Sequence, residues 1–422
     1  MLKKINKYIN KVVKTSIIVV AIMFALYIPS YADDELKDAD FTWNELEEII
    51  TTSSKKLEVP QINSRVAVIY DRSSGNVIYG KEENKKYKMA STTKIMTGIV
   101  VLENSNLTDV VEVSKRAATT GGSRLGLNFE DKITVNDLLY GLMLCSGNDA
   151  AVALAEYVGG SVQGFAELMN KKAKELGLSN THFVTPHGLD EEDHYTTAYE
   201  LARIADYALK NEKFKKIVGT KECTVTIDGN PKNLSNTNEL LGNLDGVYGV
   251  KTGFTNGANR CLVTSIKRGN LDIICVVLGA DTKKFRTQDS IKLIEYAFSN
   301  YEIVNIKEKI EEEYNSWKTY NKIEVIKGEK KYLETILEEN TIQKMALNKE
   351  DIKDIKITIT AIKKIEAPVE QNKKIGQLNV KIKGKTICNL DILVKEEVKR
   401  KTVNYFFKEL IKDYVIKLEE NI

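Results

Sequence analysis

The hydrophobic pattern of the chain changes near residue 305, and this change constrains the fold more than any other feature. Before it, strand patterns over residues 65–70, 77–79, 259–266 and 271–279, the last two joined as a hairpin, flank helical periodicities over residues 89–104, 135–158, 164–176 and 197–209. This combination is typical of an α+β domain with an antiparallel sheet. After it, alternating runs such as residues 355–360 and 378–382 predict a small β-rich domain. We therefore predict a larger α+β domain over residues 33–304 and a small all-β domain over residues 305–398.

The N-terminal residues predict export. Five lysines precede an unbroken apolar run over residues 17–28. Ser30-Tyr31-Ala32 then places small residues at the two positions that a signal peptidase recognises. This pattern is typical of a secretory signal peptide over residues 1–32 that is cleaved after Ala32. A permanent membrane anchor is the alternative, but the run is short for the roughly 20 residues that a bilayer span needs.

The C-terminal residues predict an amphipathic helix over residues 399–422. Apolar side chains recur at helical spacing from Val403 to Leu418, and Lys408 and Lys412 lie on the opposite face. Such a helix is too short and too charged to span a bilayer, but it can lie on a membrane surface. Packing against the protein's own core remains an alternative.

Charge and composition argue against several functional classes. The chain has 62 Lys and Arg against 59 Asp and Glu, a net charge of +3 over 422 residues, which gives no reason to expect a nucleic-acid partner. None of His182, His187 and His194 has metal-ligand spacing to another His or to Cys, so we predict neither a metal nor a cofactor. The absence of a G-x-S-x-G motif argues against a Ser-His-Asp hydrolase.

The first candidate motif is Ser91-Thr92-Thr93-Lys94, at the start of a predicted helix over residues 89–104. A spacing of three places both side chains on one helical face. A serine hydroxyl becomes a good nucleophile only when a base removes its proton, and a lysine can be that base when its surroundings favour the neutral amine. Alone the motif is weak, because such pairs are common on solvated helices.

Two further motifs follow along the chain. Ser146-Gly147-Asn148 interrupts an otherwise apolar helical stretch, which suits either a helix cap or polar groups that project into a cleft. Lys251-Thr252-Gly253 suits either a basic turn or a cleft-lining strand that presents a cation and a hydroxyl to an anionic substrate end. The glycine would permit close approach of a ligand backbone.

The order of the three motifs is specific, although each alone is weak. Penicillin-binding proteins and class A β-lactamases carry S-x-x-K, S-D-N and K-T-G in this order. With Thr120-Gly121-Gly122-Ser123 and Pro186-His187-Gly188-Leu189-Asp190, the chain resembles the low-molecular-mass D-alanyl-D-alanine carboxypeptidases. The resemblance implies a penicillin-recognising, β-lactamase-like catalytic domain, a C-terminal β domain and a helix on the outer membrane face.

The resemblance also implies catalytic roles. Ser91 would attack the carbonyl between the two terminal D-alanines, and Lys94 would accept its proton. Ser146 would help to pass that proton to the departing amine, with Lys251 tuning it electrostatically. Asn148 would hold the substrate amide and orient Lys94.

Substrate binding is implied in the same way. Thr252 and Arg286 would hold the terminal carboxylate, and Gly253 would let the ligand backbone approach. The backbone N–H groups of Ser91 and Phe254 would form the oxyanion hole. The expected partners are peptidoglycan stem peptides that end in D-Ala-D-Ala and β-lactam antibiotics, outside the cytoplasmic membrane.

Three alternatives stay open. A β-lactamase would have little use for a β domain and an anchor. An endopeptidase or transpeptidase would share the motifs, although the short interval from Ser91 to Ser146 leaves no room for a large inserted domain. A non-catalytic binding protein would not need the complete set of Ser, Lys, Ser, Asn and Lys.

Overall fold

The computed structural model describes residues 48–50, 58–339 and 343–419, and the side chains of residues 413–419 are not described. The predicted signal peptide, residues 1–32, lies outside these residues, as does the end of the predicted tail beyond residue 419.

Nine strands lie within residues 58–300 of the described chain. They are β1 (Val66–Asp71), β2 (Val77–Lys81), β3 (Val110–Glu112), β4 (Lys132–Thr134), β5 (Glu222–Ile227), β6 (Asn230–Ser235), β7 (Val247–Thr255), β8 (Asn259–Arg268) and β9 (Leu271–Ala280). Five of them form an antiparallel sheet in the order β2-β1-β9-β8-β7. The pairs β3–β4 and β5–β6 are separate hairpins. The predicted strand segments around residues 65–70, 77–79, 259–266 and 271–279 all lie in the main sheet.

Eight α-helices accompany these strands within residues 58–300. They are α1 (Lys94–Asn104), α2 (Lys115–Ala118), α3 (Val135–Met143), α4 (Asn148–Gly159), α5 (Val162–Glu175), α6 (Ala198–Ala208), α7 (Glu212–Val218) and α8 (Lys283–Asn300). Most begin at a Ser, Thr or Asn whose side chain accepts a backbone N–H, as Thr134 does for α3 and Ser161 does for α5. Such caps satisfy donors that the first helical turn leaves unpaired.

The main sheet separates two layers of helices. Alternate residues of β1 point to opposite faces, so that Val66 and Val68 join the core beneath α1 and α4, whereas Ala67 and Ile69 pack in the core beneath α8. This alternation follows from the period of two in a β-strand. Burial on both faces explains why β8 and β9 read as nearly continuous apolar runs. The arrangement confirms the predicted α+β class.

The second part of the chain is built mainly from strands. They are β10 (Tyr301–Asn305), β11 (Glu324–Ile326), β12 (Thr335–Leu337), β13 (Lys344–Asn348), β14 (Ile355–Ala361), β15 (Lys364–Glu366), β16 (Lys374–Ile382) and β17 (Lys385–Val394). Four of them form a sheet in the order β12-β17-β16-β14, β10 pairs with β13, and β11 pairs in parallel with β15. Their apolar faces enclose a separate core.

A helix that the sequence analysis missed lies between β10 and β11. Helix α9 (Ile306–Tyr320) begins at Asn305, whose side chain accepts the Glu308 N–H at 3.2 Å. The charged run over residues 308–313 obscured it. The buried residues Ile306, Ile310 and Tyr314 recur at a spacing of four, which is a narrow helical stripe.

The last described element is α10 (Val403–Glu419). The backbone just before it still belongs to the β domain, because the Lys401 N–H donates to the Lys327 carbonyl and the Glu329 N–H donates to the Lys399 carbonyl. Among residues 48–50, 58–339 and 343–419, no helix combines the length and the apolar character that a membrane crossing requires.

Candidate active site

Ser91 lies in a one-turn 3-10 helix, Ala90–Thr93, that leads directly into α1. The preceding residue, Ala90, has a left-handed backbone conformation with φ of 47°, which is unfavourable for a residue with a Cβ. Gly188 packs so closely that a Cβ at its position would lie 1.9 Å from the Ala90 carbonyl oxygen. The loop that carries Gly188 therefore packs tightly against the start of the 3-10 helix (the nucleophile turn), and this packing fixes the backbone around Ser91.

The amine of Lys94 is the centre of a buried polar cluster. Its Nζ atom lies 2.8 Å from Ser91 Oγ, 2.7 Å from Asn148 Oδ1, 3.3 Å from Ser146 Oγ and 3.1 Å from the His187 carbonyl oxygen. The Lys94 side chain has no solvent exposure. Burial disfavours the charged form of an amine, so the cluster suits a lysine that takes part in proton transfer.

Ser146 and Asn148 reach Lys94 because the chain reverses between α3 and α4. Ser146 has φ of 61°, another left-handed conformation at a polar residue of the cluster. The Asn148 backbone N–H donates to the Ser123 carbonyl at 2.7 Å, and its Nδ2 donates to the Gly121 carbonyl at 2.8 Å. The Thr120–Ser123 segment, noted in the sequence as part of the family resemblance, thus holds Asn148 in place.

Asp149 anchors the loop beside this segment. Its fully buried carboxylate accepts the N–H groups of Leu125, Gly126 and Leu127 at 2.7–3.0 Å. A carboxylate that accepts several backbone N–H groups fixes the path of a loop. The sequence analysis did not identify this residue.

Strand β7 lies along the other side of Ser91. A Cβ at Gly253 would lie 3.0 Å from the Ser91 backbone nitrogen, so glycine lets the strand and the nucleophile turn approach each other more closely than a residue with a side chain would without a local shift. Lys251 and Thr252 are buried, and Lys251 Nζ donates to the Thr252 carbonyl at 3.1 Å. Phe254 is half-buried, and the Arg260 guanidinium lies 3.6 Å from its ring centroid.

Arg286 lies in a neighbouring cluster near the start of α8. Its fully buried guanidinium donates from Nη2 to Glu239 Oε1 at 2.5 Å. The loop that carries Glu239 also carries Thr237, whose Oγ1 lies 2.7 Å from Thr252 Oγ1. Thr237 and Glu239 were both missed by the sequence analysis, because nothing in their local spacing marks them.

Two histidines lie beside the nucleophile turn: His187 contacts Lys94 through its carbonyl oxygen, and His194 contacts Thr93. His194 Nδ1 accepts the Val184 N–H at 3.0 Å, so the ring proton is on Nε2. Nε2 donates to Thr93 Oγ1 at 2.8 Å, and the Thr93 hydroxyl donates to the Ala90 carbonyl at 2.8 Å. Burial lowers the pKa of His194 to about 4 and that of His187 to about 3.

The structure thus assembles most of the predicted site. Ser91, Lys94, Ser146 and Asn148 share one hydrogen-bonded cluster, and β7 places Gly253 against Ser91. The other predicted site residues lie outside this cluster: Lys251, Thr252 and Phe254 are in β7, and Arg286 is in α8.

Comparison with known families agrees with this geometry. The model of the D-alanyl-D-alanine carboxypeptidase family matches residues 52–282, more than half of the chain. The chain belongs to the D-alanyl-D-alanine carboxypeptidase family. The model of the penicillin-binding protein 5 C-terminal domain also matches residues 314–400.

Two relatives of this carboxypeptidase family illustrate the similarity in sequence. The chain is 38% identical over 357 residues to the D-alanyl-D-alanine carboxypeptidase DacF of Bacillus subtilis, covering 83% of this chain and 90% of the relative. It is 34% identical over 361 residues to DacC of Escherichia coli, covering 82% and 87% of the two chains.

Solved structures confirm the penicillin-recognising fold. Penicillin binding protein 5 from Haemophilus influenzae aligns with a TM-score of 0.65 at 29% identity, covering 81% of this chain and 99% of that one. The Streptomyces K15 DD-transpeptidase aligns with a TM-score of 0.55 at 36% identity, covering 57% of this chain and 99% of that one.

Proposed function

We propose that the protein is a serine-type D-alanyl-D-alanine carboxypeptidase that removes the terminal D-alanine from peptidoglycan pentapeptide stems. The observation that carries the proposal is the buried cluster around Lys94, with its amine 2.8 Å from Ser91 Oγ and 2.7 Å from Asn148 Oδ1. Family membership and the names of the relatives support the same reaction.

The hydrogen-bond partners of Lys94 are compatible with a neutral amine that acts as base. Carbonyl oxygens only accept, so Asn148 Oδ1 and the His187 carbonyl both receive N–H groups from Lys94. A neutral amine has two N–H groups and one lone pair. The lone pair can then accept the Ser91 hydroxyl proton as Ser91 Oγ bonds to the carbonyl carbon of the penultimate D-alanine.

The tetrahedral intermediate then collapses with cleavage of the C–N bond. Ser146 Oγ, 3.3 Å from Lys94 Nζ, relays the proton from Lys94 to the departing amine of the terminal D-alanine, and Lys251 adjusts this step electrostatically. In our proposal the oxyanion accepts hydrogen bonds from the Ser91 and Phe254 backbone N–H groups. One such donor typically contributes about 3–4 kcal/mol to transition-state stabilisation.

Thr252 and Arg286 hold the terminal carboxylate in this proposal. The approach of Gly253 to the Ser91 nitrogen supports a substrate that lies along β7. Water then attacks the ester carbonyl of the acyl-enzyme, releases the shortened stem and regenerates the Ser91 hydroxyl. A β-lactam acylates Ser91 through the same first step, with opening of its ring amide.

We also propose that the protein is exported and acts at the outer face of the cytoplasmic membrane. The predicted signal peptide supports export. Helix α10 supports attachment, because Val403, Phe406, Phe407, Leu410 and Ile411 are all more than half exposed. Such a stripe, with lysines beside it, suits the interface of an anionic membrane.

Mass spectrometry of a pentapeptide stem incubated with residues 33–422 tests the proposed reaction. Loss of one alanine residue is expected, together with release of free D-alanine. A protein that acylates with fluorescent penicillin but leaves the pentapeptide intact would contradict the carboxypeptidase proposal.

Transpeptidation is the second candidate, since the Streptomyces K15 neighbour is described as a DD-transpeptidase. The two reactions share the acyl-enzyme and differ in whether water or an amine attacks it. Adding a glycyl or D-amino acid acceptor to the same incubation separates them. A joined product that exceeds the hydrolysed one would favour transpeptidation.

A further inference from the structure

The loop that carries His187 contacts several parts of the proposed catalytic machinery. The His187 carbonyl accepts from Lys94 Nζ at 3.1 Å, and Gly188 packs against the Ala90 carbonyl of the nucleophile turn. Two residues later, the side chain of Asp190 reaches the turn that follows β7. One short loop therefore connects the proposed base, the nucleophile turn and the strand on the other side of the site.

The backbone of this loop is held in place before it reaches Asp190. The Thr97 hydroxyl, on α1, donates to the Pro186 carbonyl at 2.6 Å. The Gly188 N–H donates to Thr185 Oγ1 at 3.1 Å. Because these contacts are made to α1 and within the loop itself, Asp190 extends from a backbone whose position relative to the nucleophile helix is fixed.

The Asp190 carboxylate joins the loop to the turn between β7 and β8. Its Oδ1 accepts the Thr255 hydroxyl at 2.8 Å, and its Oδ2 accepts the Gly257 N–H at 2.8 Å. The Thr255 hydroxyl oxygen also accepts the Ala258 N–H at 3.0 Å, and Lys88 Nζ lies 3.7 Å from Asp190 Oδ1. A carboxylate that accepts two hydrogen bonds in this way fixes the groups that donate to it.

These two contacts lie just beyond Phe254, whose N–H is one of the two proposed donors of the oxyanion hole. On the other side of Phe254, Gly253 packs against the Ser91 backbone nitrogen. Strand β7 is last in the order of the main sheet, where β8 is its neighbour. The position of the Phe254 N–H therefore depends on what holds the end of the strand. A misplacement of about 1 Å in a catalytic site can cost roughly 100-fold in rate.

We infer that Asp190 is a positioning residue, which fixes the end of β7 so that the Phe254 N–H meets the oxyanion formed when Ser91 attacks. The inference rests on the proposed function and adds a support to its oxyanion hole. Asp190 acts through Thr255 and Gly257 and does not touch the substrate. Its effect belongs to the tetrahedral transition state, where the oxyanion develops, rather than to binding of the substrate.

The test compares Asp190→Ala with wild type on two substrates, N-acyl-D-Ala-D-lactate and its thionoester, in which sulfur replaces the oxygen of the scissile carbonyl. Sulfur is a weak hydrogen-bond acceptor, so the thionoester gains little from the oxyanion hole. We expect kcat/KM to fall about tenfold for the ester and less than about twofold for the thionoester. Equal falls for both substrates, or an unchanged rate with the ester, overturn the inference.

Matched variants separate this role from a general structural one. Asp193→Ala removes a neighbouring carboxylate that accepts no hydrogen bond among the described residues, and it should leave both rates within about twofold of wild type. Asp190→Asn keeps an acceptor for the Thr255 hydroxyl but loses the one for Gly257, so its loss should be intermediate. If Asp190→Ala does not fold, as judged by its melting temperature, Asp190→Asn is the test variant.

A double-mutant cycle checks the route through Thr255. Thr255→Val removes the hydroxyl that donates to Asp190 and keeps the shape of the side chain. Because both changes break the same contact, the double variant should be slower than Asp190→Ala by no more than about twofold with the ester. Losses that multiply in full would show that Asp190 does not act through Thr255.

A further measurement is independent of peptide hydrolysis. A peptidyl boronic acid that forms a tetrahedral adduct with Ser91 places an oxygen where the oxyanion develops. Asp190→Ala should raise its Kd by about tenfold, and Asp193→Ala should leave it within about twofold of wild type. If wild type releases no D-alanine, the proposed function fails, and the boronate affinities still decide the inference. An equal Kd in wild type and Asp190→Ala overturns it.

Discussion

The amide of Asn148 presents its oxygen to Lys94, with Oδ1 2.7 Å from Nζ, while its Nδ2 donates to the Gly121 carbonyl at 2.8 Å. The Gly121 carbonyl can only accept, so it determines which way the amide faces. Asn148 must therefore accept from Lys94, and the Thr120–Ser123 segment orients the proposed base through this one side chain.

Asn148→Asp should slow penicillin acylation by roughly 10- to 1,000-fold at neutral pH, because a carboxylate beside Lys94 favours the charged ammonium. The rate should recover as pH rises, since deprotonation of Lys94 restores the base. Stopped-flow measurement with a fluorescent penicillin checks both effects. Asn104→Asp, in which the altered side chain caps the end of α1, is the matched control, and equal losses in both variants would contradict the role of Asn148.

Ser91→Ala should abolish both penicillin labelling and D-alanine release, because it removes the oxygen that forms the acyl-enzyme. The fold should persist, since the small Oγ atom can be lost without opening a cavity. Ser105→Ala, at the far end of α1, should label as wild type does. Covalent labelling of the Ser91→Ala variant would reassign the nucleophile.

Lys94→Arg should be almost inactive, because arginine stays protonated and cannot accept the serine proton. The measurement is the acylation rate, with Lys172→Arg as a control for the same substitution away from the site. If the variant kept more than about a tenth of the wild-type rate, a loss below about 1.4 kcal/mol, Lys94 would not be the base.

His194→Leu should lower the acylation rate, because it breaks the contact that runs through Thr93 to the Ala90 carbonyl. His194→Gln should retain most activity, since its amide can accept from Val184 and donate to Thr93. Equal activity of the two variants would show that the contact does not position Ser91.

The same residue predicts a pH dependence of stability. Burial lowers the pKa of His194 to about 4, with His182 and Lys88 acting in the same direction and Asp190 opposing them. The unfolded state therefore binds more protons than the native state between pH 6.5 and 4, and stability falls as pH falls through this window. His194 should contribute on the order of 3 kcal/mol to this loss, so the loss measured by urea unfolding should be smaller in His194→Gln by about that amount, while His187, whose pKa is also lowered by burial, contributes in both proteins. Identical pH profiles would contradict this assignment.

Truncation after Thr402 should release a soluble and fully active enzyme, because it removes α10 and leaves the paired backbone of residues 398–401 intact. Flotation with anionic liposomes compares the intact and truncated mature proteins. If the intact protein fails to float and truncation lowers the melting temperature instead, α10 packs on the protein itself.

Several elements could be predicted from the sequence because their signals are local. The apolar periodicity of α1, α5 and α6 and the hairpin between β8 and β9 depend on residues a few positions apart. The proximity of Ser91 and Lys94 could be predicted for the same reason, since a spacing of three on a helix brings the two side chains together.

Helix α9 could not be predicted from local patterns in this way. Its glutamates gave a charged run, while the burial that stabilises the helix comes from Ile306, Ile310 and Tyr314 against the strands that follow. The apolar stripe of the helix is narrow. It stabilises the helix only by packing against the folded β domain, so the sequence pattern alone did not predict the helix.

The sequence by itself determined the secondary-structure elements that have strong local patterns and the chemical groups of the proposed site, because both depend on residue type and short spacing. Only the tertiary structure decided that Thr237 and Glu239 reach Thr252 and Arg286. The physical reason is that a buried charge such as Arg286 needs a partner, and that partner can come from any part of the chain that the fold brings within a few ångströms.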